Sequence, residues 1–286
     1  MFKRQRSGAV VCPSCGSLVG VNDAQCLTCG RRNPGMWGFA PLLRHLGNDF
    51  GFVAMIVAVC GGLYVISLLL SWPNIGGRGL FSFLAPSAQS LFVLGASGAV
   101  PVFQFDRWWS VLSAGWLHGG LLHILFNMLW VRQLGPAVAE LYGPARLVIV
   151  YTVAGVVGFA LSSLAGQYLW FLPLPQLRGA GLTVGASAPI FGLLGALVYY
   201  GRRSGSSVVH SQALGYALML GLFGFIMPGV DNYAHLGGFA GGYYTARYLD
   251  PLHPERGDHM IVAIGCLAAT LGAILWSLVT GLRLLS

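Results

Sequence analysis

Val184–Gly201 reads VGASAPIFGLLGALVYYG, and the fold turns on how this stretch is understood. It is apolar and runs into Arg202 and Arg203, as a membrane span ends at a basic surface. Yet it is short, crowded with glycine and alanine, and headed by a serine. Pro189 belongs in the first turn of a helix, which predicts a helix start near Ser187. From Ser187 to Arg202 is 15 residues, about 22 Å at 1.5 Å per residue. The hydrocarbon core is about 30 Å thick, so Ser187 is expected several ångströms below the outer surface.

Working outward, the whole chain is written for lipid. It has 286 residues, 56% of them hydrophobic and 8% charged, where an ordinary soluble domain carries about a quarter charged residues. Sixteen basic and eight acidic side chains cannot cover a soluble surface of this size, so a soluble globule and a disordered chain are both excluded. Seven apolar segments run from Phe52 to Trp72, His118 to Leu141, Ala145 to Trp170, Ser187 to Gly201, Val208 to Pro228, His235 to Leu249 and Met260 to Leu282. The expectation is an all-α polytopic membrane protein. Pro73–Leu117 is too long for a tight turn and holds Trp108 and Trp109, so it reads as a structured loop at the membrane surface. Residues 1–50 contain no apolar h-region of a cleavable signal peptide. The domains expected are a cysteine-rich segment (1–35), a linker (36–50), a membrane core (51–250), and a linker with a further spanning helix (251–286).

The net charge of +8 invites a nucleic-acid reading, but topology accounts for it. With the N-terminus inside, inner segments hold Lys3, Arg4, Arg6, Arg31, Arg32, Arg44, Arg132, Arg146, Arg202, Arg203, Arg247 and Arg256. Outer segments hold Arg78, Arg107, Arg178 and Arg283. Twelve against four is a positive-inside bias. Arg132 sits within an apolar segment and must snorkel or pair.

Cys12, Cys15, Cys26 and Cys29 form two CxxC pairs, CPSCG and CLTCG, ten residues apart. Four thiolates at this spacing suit tetrahedral zinc, and a reducing cytosol disfavours disulfides. Two redox CxxC motifs are the competing reading. Four cysteines leave no open coordination position, so such a ribbon is structural or a docking module for a cytosolic protein partner. Cys60 and Cys266 stand alone in apolar segments and read as small buried hydrophobes.

Polar side chains inside spanning segments are functional hypotheses by default. Here they are His118, His123 and Asn127 in the second segment, Ser187 in the fourth and His235 in the sixth. Taken singly, each can be a packing or hydrogen-bonding residue. Their depths argue otherwise: His235 lies 12 residues before Arg247, about 18 Å, which brings it to the level of Ser187. Ala188, Gly192 and Gly195 form one small-residue stripe, and Gly238 and Gly242 another, which lets the two backbones approach closely. A serine, a histidine base and the donors His123 and Asn127 are the parts of acyl transfer, with the Ser187 amide as a third donor. Asp231 is read as a helix cap rather than as an acid partner.

At HGGLLHILFN (His118–Asn127), VGASAPIFGLLGA (Val184–Ala196) and DNYAHLGGFAGG (Asp231–Gly242) the sequence resembles the rhomboid intramembrane serine proteases, over roughly Trp108 to Asp250. The resemblance implies a six-helix core, with the seventh segment and the zinc-ribbon-like start as additions. It implies Ser187 as nucleophile and His235 as base without an acid. Asn127 and His123 would form the oxyanion site, with His118, Gly185 and Phe191 in support and no cofactor needed for proteolysis. It further implies transmembrane protein substrates cut in or near their spans, in the cell membrane, with the site opening to the extracytoplasmic side. Three positions depart from the family pattern. Ala188 replaces the glycine after the serine, Phe191 replaces a tyrosine, and Ser110 replaces the arginine after the loop tryptophan. Two other functions compete: a silent scaffold for membrane clients, which has no need of Ser187 and His235, and a transporter, for which no paired inverted halves are visible.

Overall fold

A computed structural model describes residues 4–44, 46–76, 83–227 and 229–284. Lys3, Arg78 and Pro228, used above for charge and segment limits, lie outside the described residues. Near the N-terminus two short strands, β1 (Ala9–Val11) and β2 (Leu18–Gly20), pair antiparallel with Val10 opposite Val19. The turn between them is the first cysteine knuckle, closed by the Gly16 amide donating to the Cys12 carbonyl. The second knuckle closes the same way, from the Gly30 amide to the Cys26 carbonyl. Val10, Val19 and Val21 bury with Cys12 and Cys26 against Met36 and Ala40. The stretch after the knuckles therefore completes the ribbon's small core, and it ends in the short helix α1 (Ala40–Arg44).

The membrane part is helical. α2 (Phe52–Ser71) is followed by a long loop carrying α3 (Ala88–Leu94) and α4 (Ser110–Ser113). Then come α5 (Leu121–Tyr142), α6 (Pro144–Tyr168), α7 (Ser187–Ser204), α8 (Ser207–Ile226), α9 (Asn232–Leu249) and α10 (Gly257–Arg283). Helices α2, α6, α8 and α10 are long and apolar enough to cross a membrane on length and composition alone. The other three long helices, α5, α7 and α9, carry His123, Asn127, Ser187 and His235. Their hydropathy is diluted by those residues and by the glycines of their packing faces, and α7 is buried along most of its length. The chain is an all-α polytopic membrane protein with a small N-terminal ribbon.

Two features differ from the sequence expectation. His118 does not open the second spanning helix, because Gly119 and Gly120 break the chain and α5 begins at Leu121. The loop from Pro73 to Leu117 is more than a surface layer. Arg107, Ser110, Ser113 and Ala114 within it are all buried. The Arg107 guanidinium donates to the carbonyls of Phe92, Val93 and Ser277, and the Trp109 indole N–H donates to Ser277 Oγ at 3.0 Å. The loop is thus sewn to the far end of α10. Arg132 is exposed on the surface of α5, consistent with snorkelling.

At the opposite end of α10 a second set of polar contacts gathers the chain. Glu255, just before α10, accepts hydrogen bonds from the free amides of Ala145 and Arg146 at the start of α6, at 2.8 and 3.0 Å. A carboxylate on a helix N-terminus is favoured by both the unpaired amides and the helix dipole. The Arg146 side chain, itself buried, donates to the carbonyls of His253 and Pro254 at 2.8 and 2.9 Å and to His259 Nδ1 at 3.1 Å. The α9–α10 connection is held against α6 by these bonds.

Candidate active site

Three stretches of backbone converge on the head of α7. The segment that leads into it is pinned from outside. Ser97 and Thr183 exchange amide–carbonyl bonds of 3.0 and 2.7 Å, and the Gly185 amide donates to the Ala114 carbonyl at 3.0 Å. The helix then starts at Ser187, where Pro189 predicted it, and Ser187 is half-buried. Its two immediate neighbours, Ala186 and Ala188, are fully buried.

Helix α9 crosses α7 with the backbones in contact. A methyl group at Gly238 would run into the Ala188 carbonyl, and one at Gly242 into the carbonyl of Gly192. Gly192 in turn faces the Gly238 carbonyl. The small residues read from the sequence as packing positions are therefore the points of closest approach. Ala188, the departure from the family glycine, has its extra methyl accommodated by Gly158 on α6, which has no side chain there.

The crossing places His235 beside the first turn of α7. The Phe191 ring stacks on the imidazole with centroids 4.2 Å apart and planes 16° from parallel. His235 Nδ1 is buried with no hydrogen-bond partner, and it faces Gly224 of α8 at a distance of 3.3 Å from where a methyl would stand. Asp231 is engaged elsewhere. One of its oxygens caps α9 by accepting from the Ala234 amide at 3.0 Å, and the other accepts from the Ser162 hydroxyl. Among the described residues there is no hydrogen bond between Ser187 Oγ and His235. In serine hydrolases generally, the bond between serine and histidine is often long without substrate and tightens when substrate binds.

The third stretch is the turn before α5 and its first two turns. The Gly119 amide donates to His123 Nδ1 at 3.4 Å. With Nδ1 accepting, the ring proton is assigned to Nε2. That atom points at Gly185: a methyl there would lie 2.6 Å from it and 3.8 Å from the Asn127 amide nitrogen. Gly185 also holds φ +133°, outside the comfortable range of a residue with a side chain. Asn127 donates one amide hydrogen to the His123 carbonyl at 2.9 Å, leaving the second for a ligand. His118 is fully buried, packs edge-on against His123 at 5.2 Å, and leaves both ring nitrogens without a partner.

Sequence reasoning missed the fastening of the site. It treated Ser110 as the loss of a loop arginine, whereas Ser110 is buried and donates to Ser97 Oγ at 3.1 Å. The loop is instead held by Arg107, three residues upstream. A single arginine beside an aromatic pair was the only signal available.

The four N-terminal cysteines also come together. Their sulfurs lie within 4.8 Å of one another, with 3.7 Å between Cys12 and Cys29 and between Cys15 and Cys26. All four are free thiols. A tetrahedron with metal–sulfur bonds of about 2.3 Å has edges of about 3.8 Å, so the set fits one metal ion. Burial pushes Cys29 up to about 12 and raises Cys12. Burial pushes Cys15 up as well, but hydrogen bonds with Ser17, Cys29 and Cys26 together outweigh it and bring that thiol to about 6.

Residues 106–251, half of the chain, match the rhomboid domain. RHOMBOID-like protein 4 of Arabidopsis thaliana is 35% identical over 168 residues, covering 56% of this chain and 39% of the relative. Rhomboid protease GluP of Bacillus subtilis is 29% identical over 196 residues, 67% of this chain and 36% of the relative. Inactive RHOMBOID-like protein 8 of Arabidopsis thaliana is 27% identical over 162 residues, 54% and 42% of the two chains. The matched region thus spans well under half the length of each of these relatives.

Proposed function

From a chain that belongs to the rhomboid family, we infer an intramembrane serine endopeptidase that cuts transmembrane protein substrates within or near their spans. Ser187 Oγ attacks the substrate carbonyl while His235 takes its proton through Nε2. The resulting oxyanion is met by the Nε2–H of His123, the free amide hydrogen of Asn127 and the Ser187 amide. His235 then returns the proton to the leaving amine, and water releases the acyl-enzyme by the same route in reverse. The Phe191 stack fixes the imidazole plane, a task that a carboxylate performs in triads. Gly185 keeps a side chain out of the space between His123 and the nucleophile.

The single observation that supports this most is the stack of Phe191 on His235, one helical turn from Ser187. In the cell membrane the N-terminal ribbon would be cytosolic and the site would open on the other face, by the positive-inside bias. The four cysteines are read as a structural zinc centre. Zinc would hold the ribbon's fold and take no part in the chemistry, because the site on α7 and α9 needs no metal.

Purified protein incubated with single-span substrates tests the reading. Cleavage is expected for the wild type and is expected to vanish in Ser187→Ala and in His235→Ala with helicity unchanged. Full activity in either variant refutes the dyad. A client-binding scaffold is the second reading, favoured by the missing Ser187–His235 hydrogen bond and by an inactive relative. It predicts that the wild type binds such substrates and leaves them intact.

A further inference from the structure

The ribbon is more than tethered to the membrane core. Arg31, two residues beyond the last cysteine, is 4% exposed and pairs with Glu255 at 3.2 Å, whose side chain is 2% exposed. The partners are 224 residues apart in the chain. The other Glu255 oxygen accepts the two amides at the start of α6. Met260, in the first turn of α10, packs against the ribbon's apolar cluster as well as against the membrane core. Arg31 is presented by the second knuckle itself, since its carbonyl accepts from the Cys26 amide at 2.8 Å. A knuckle without metal has only this bond and a few like it to hold its shape.

We propose that the ribbon is a metal-dependent clamp on the membrane core, with Glu255, itself anchored on the amide end of α6, as the receptor for Arg31. The inference rests on the reading of the four cysteines as a metal centre. When the metal leaves, the knuckle no longer holds Arg31 in place, and Glu255 is left as a buried carboxylate without its cation. Breaking a buried pair by removing one partner is strongly destabilising, because the remaining charge stays desolvated. The joint between α6, the α9–α10 connection and α10 would loosen with it.

The test uses the full chain in detergent, with zinc content measured by atomic absorption and core melting by tryptophan fluorescence. Seven of the eight tryptophans lie beyond residue 50, so the signal reports the membrane part. Stripping zinc from the wild type with a chelator is expected to lower the core melting temperature by about 6 °C or more, reversed by Zn²⁺. Arg31→Met keeps the apolar stem, and Glu255→Gln keeps an acceptor for the α6 amides. In either variant the core should melt low from the outset, and the chelator should move it less than half as far as in the wild type. Should Arg31→Met not fold, Glu255→Gln carries the comparison. Zinc that leaves the wild type without moving the core overturns the clamp and leaves the metal reading standing. An equal chelator shift in the variants overturns it as well. A zinc content near zero overturns both readings.

Discussion

Gly185→Ala isolates the oxyanion side of the site from everything else. The added methyl would stand 2.6 Å from His123 Nε2 and 2.7 Å from Cε1, where ordinary contact begins at 3.4 Å. The shortfall is roughly 0.8 Å, and the imidazole has to supply it because φ +133° fixes where the methyl points. His123 cannot retreat freely, since the Gly119 amide holds its Nδ1 and His118 packs against its edge. Displacements near 1 Å cost about 10²-fold in rate, and loss of one oxyanion donor costs about 10²–10³-fold in kcat. The expected outcome is a fall of kcat by about 10²-fold or more with KM little changed. The backbone strain adds a destabilisation of about 1–2 kcal/mol. Gly181→Ala is the control, because its methyl would find only the Val100 side chain at 3.8 Å. The assay is cleavage of a single-span substrate in detergent, with kcat and KM separated. A kcat within threefold of wild type in folded Gly185→Ala would refute the assignment of His123 to the oxyanion.

Two further outcomes follow from the same geometry. Asn127→Ala removes a donor whose other hydrogen bonds back to the His123 carbonyl within α5, and it should lower kcat by about 10²-fold while substrate affinity falls far less; collapse of binding with unchanged turnover would make the residue structural. At the ribbon, Cys12 and Cys29 hold their protons at neutral pH because burial raises both, so zinc binding must expel them. A zinc titration of apoprotein near pH 7 should release about two or more protons per metal, with affinity falling as pH is lowered. Metal uptake without proton release would contradict the thiol assignment.

What the sequence made legible were features carried by local pattern. The apolar runs of α2, α6, α8 and α10 are long enough to be read without context. Counting back to Arg202 and Arg247 puts Ser187 and His235 at one level, and the structure stacks His235 on Phe191, one turn beyond Ser187. Helix α7 was harder, because a helix enclosed by other helices needs neither length nor hydropathy to be stable in the membrane. Contacts that join distant parts left no periodic trace. Arg107 with Ser277 and Arg31 with Glu255 are separated by 170 and 224 residues. A hint did exist in the second pair, since an acidic residue is scarce in a chain with eight of them and Glu255 stands at the edge of a span.

The fastening of the loop by Ser277 also sets an order of assembly. The loop from Phe92 to Ala114 leaves the ribosome long before α10, yet Arg107 and Trp109 find two of their partners only on residue 277. That loop supplies the Ala114 carbonyl that holds Gly185 and so frames the head of α7. Ser187 and His235 are both made before the loop can reach its anchors on Ser277. A chain halted after α9 therefore holds Ser187 and His235 while Arg107 and Trp109 still lack their partners on Ser277. The loop beside the head of α7 gains its last anchors only when α10 packs against it.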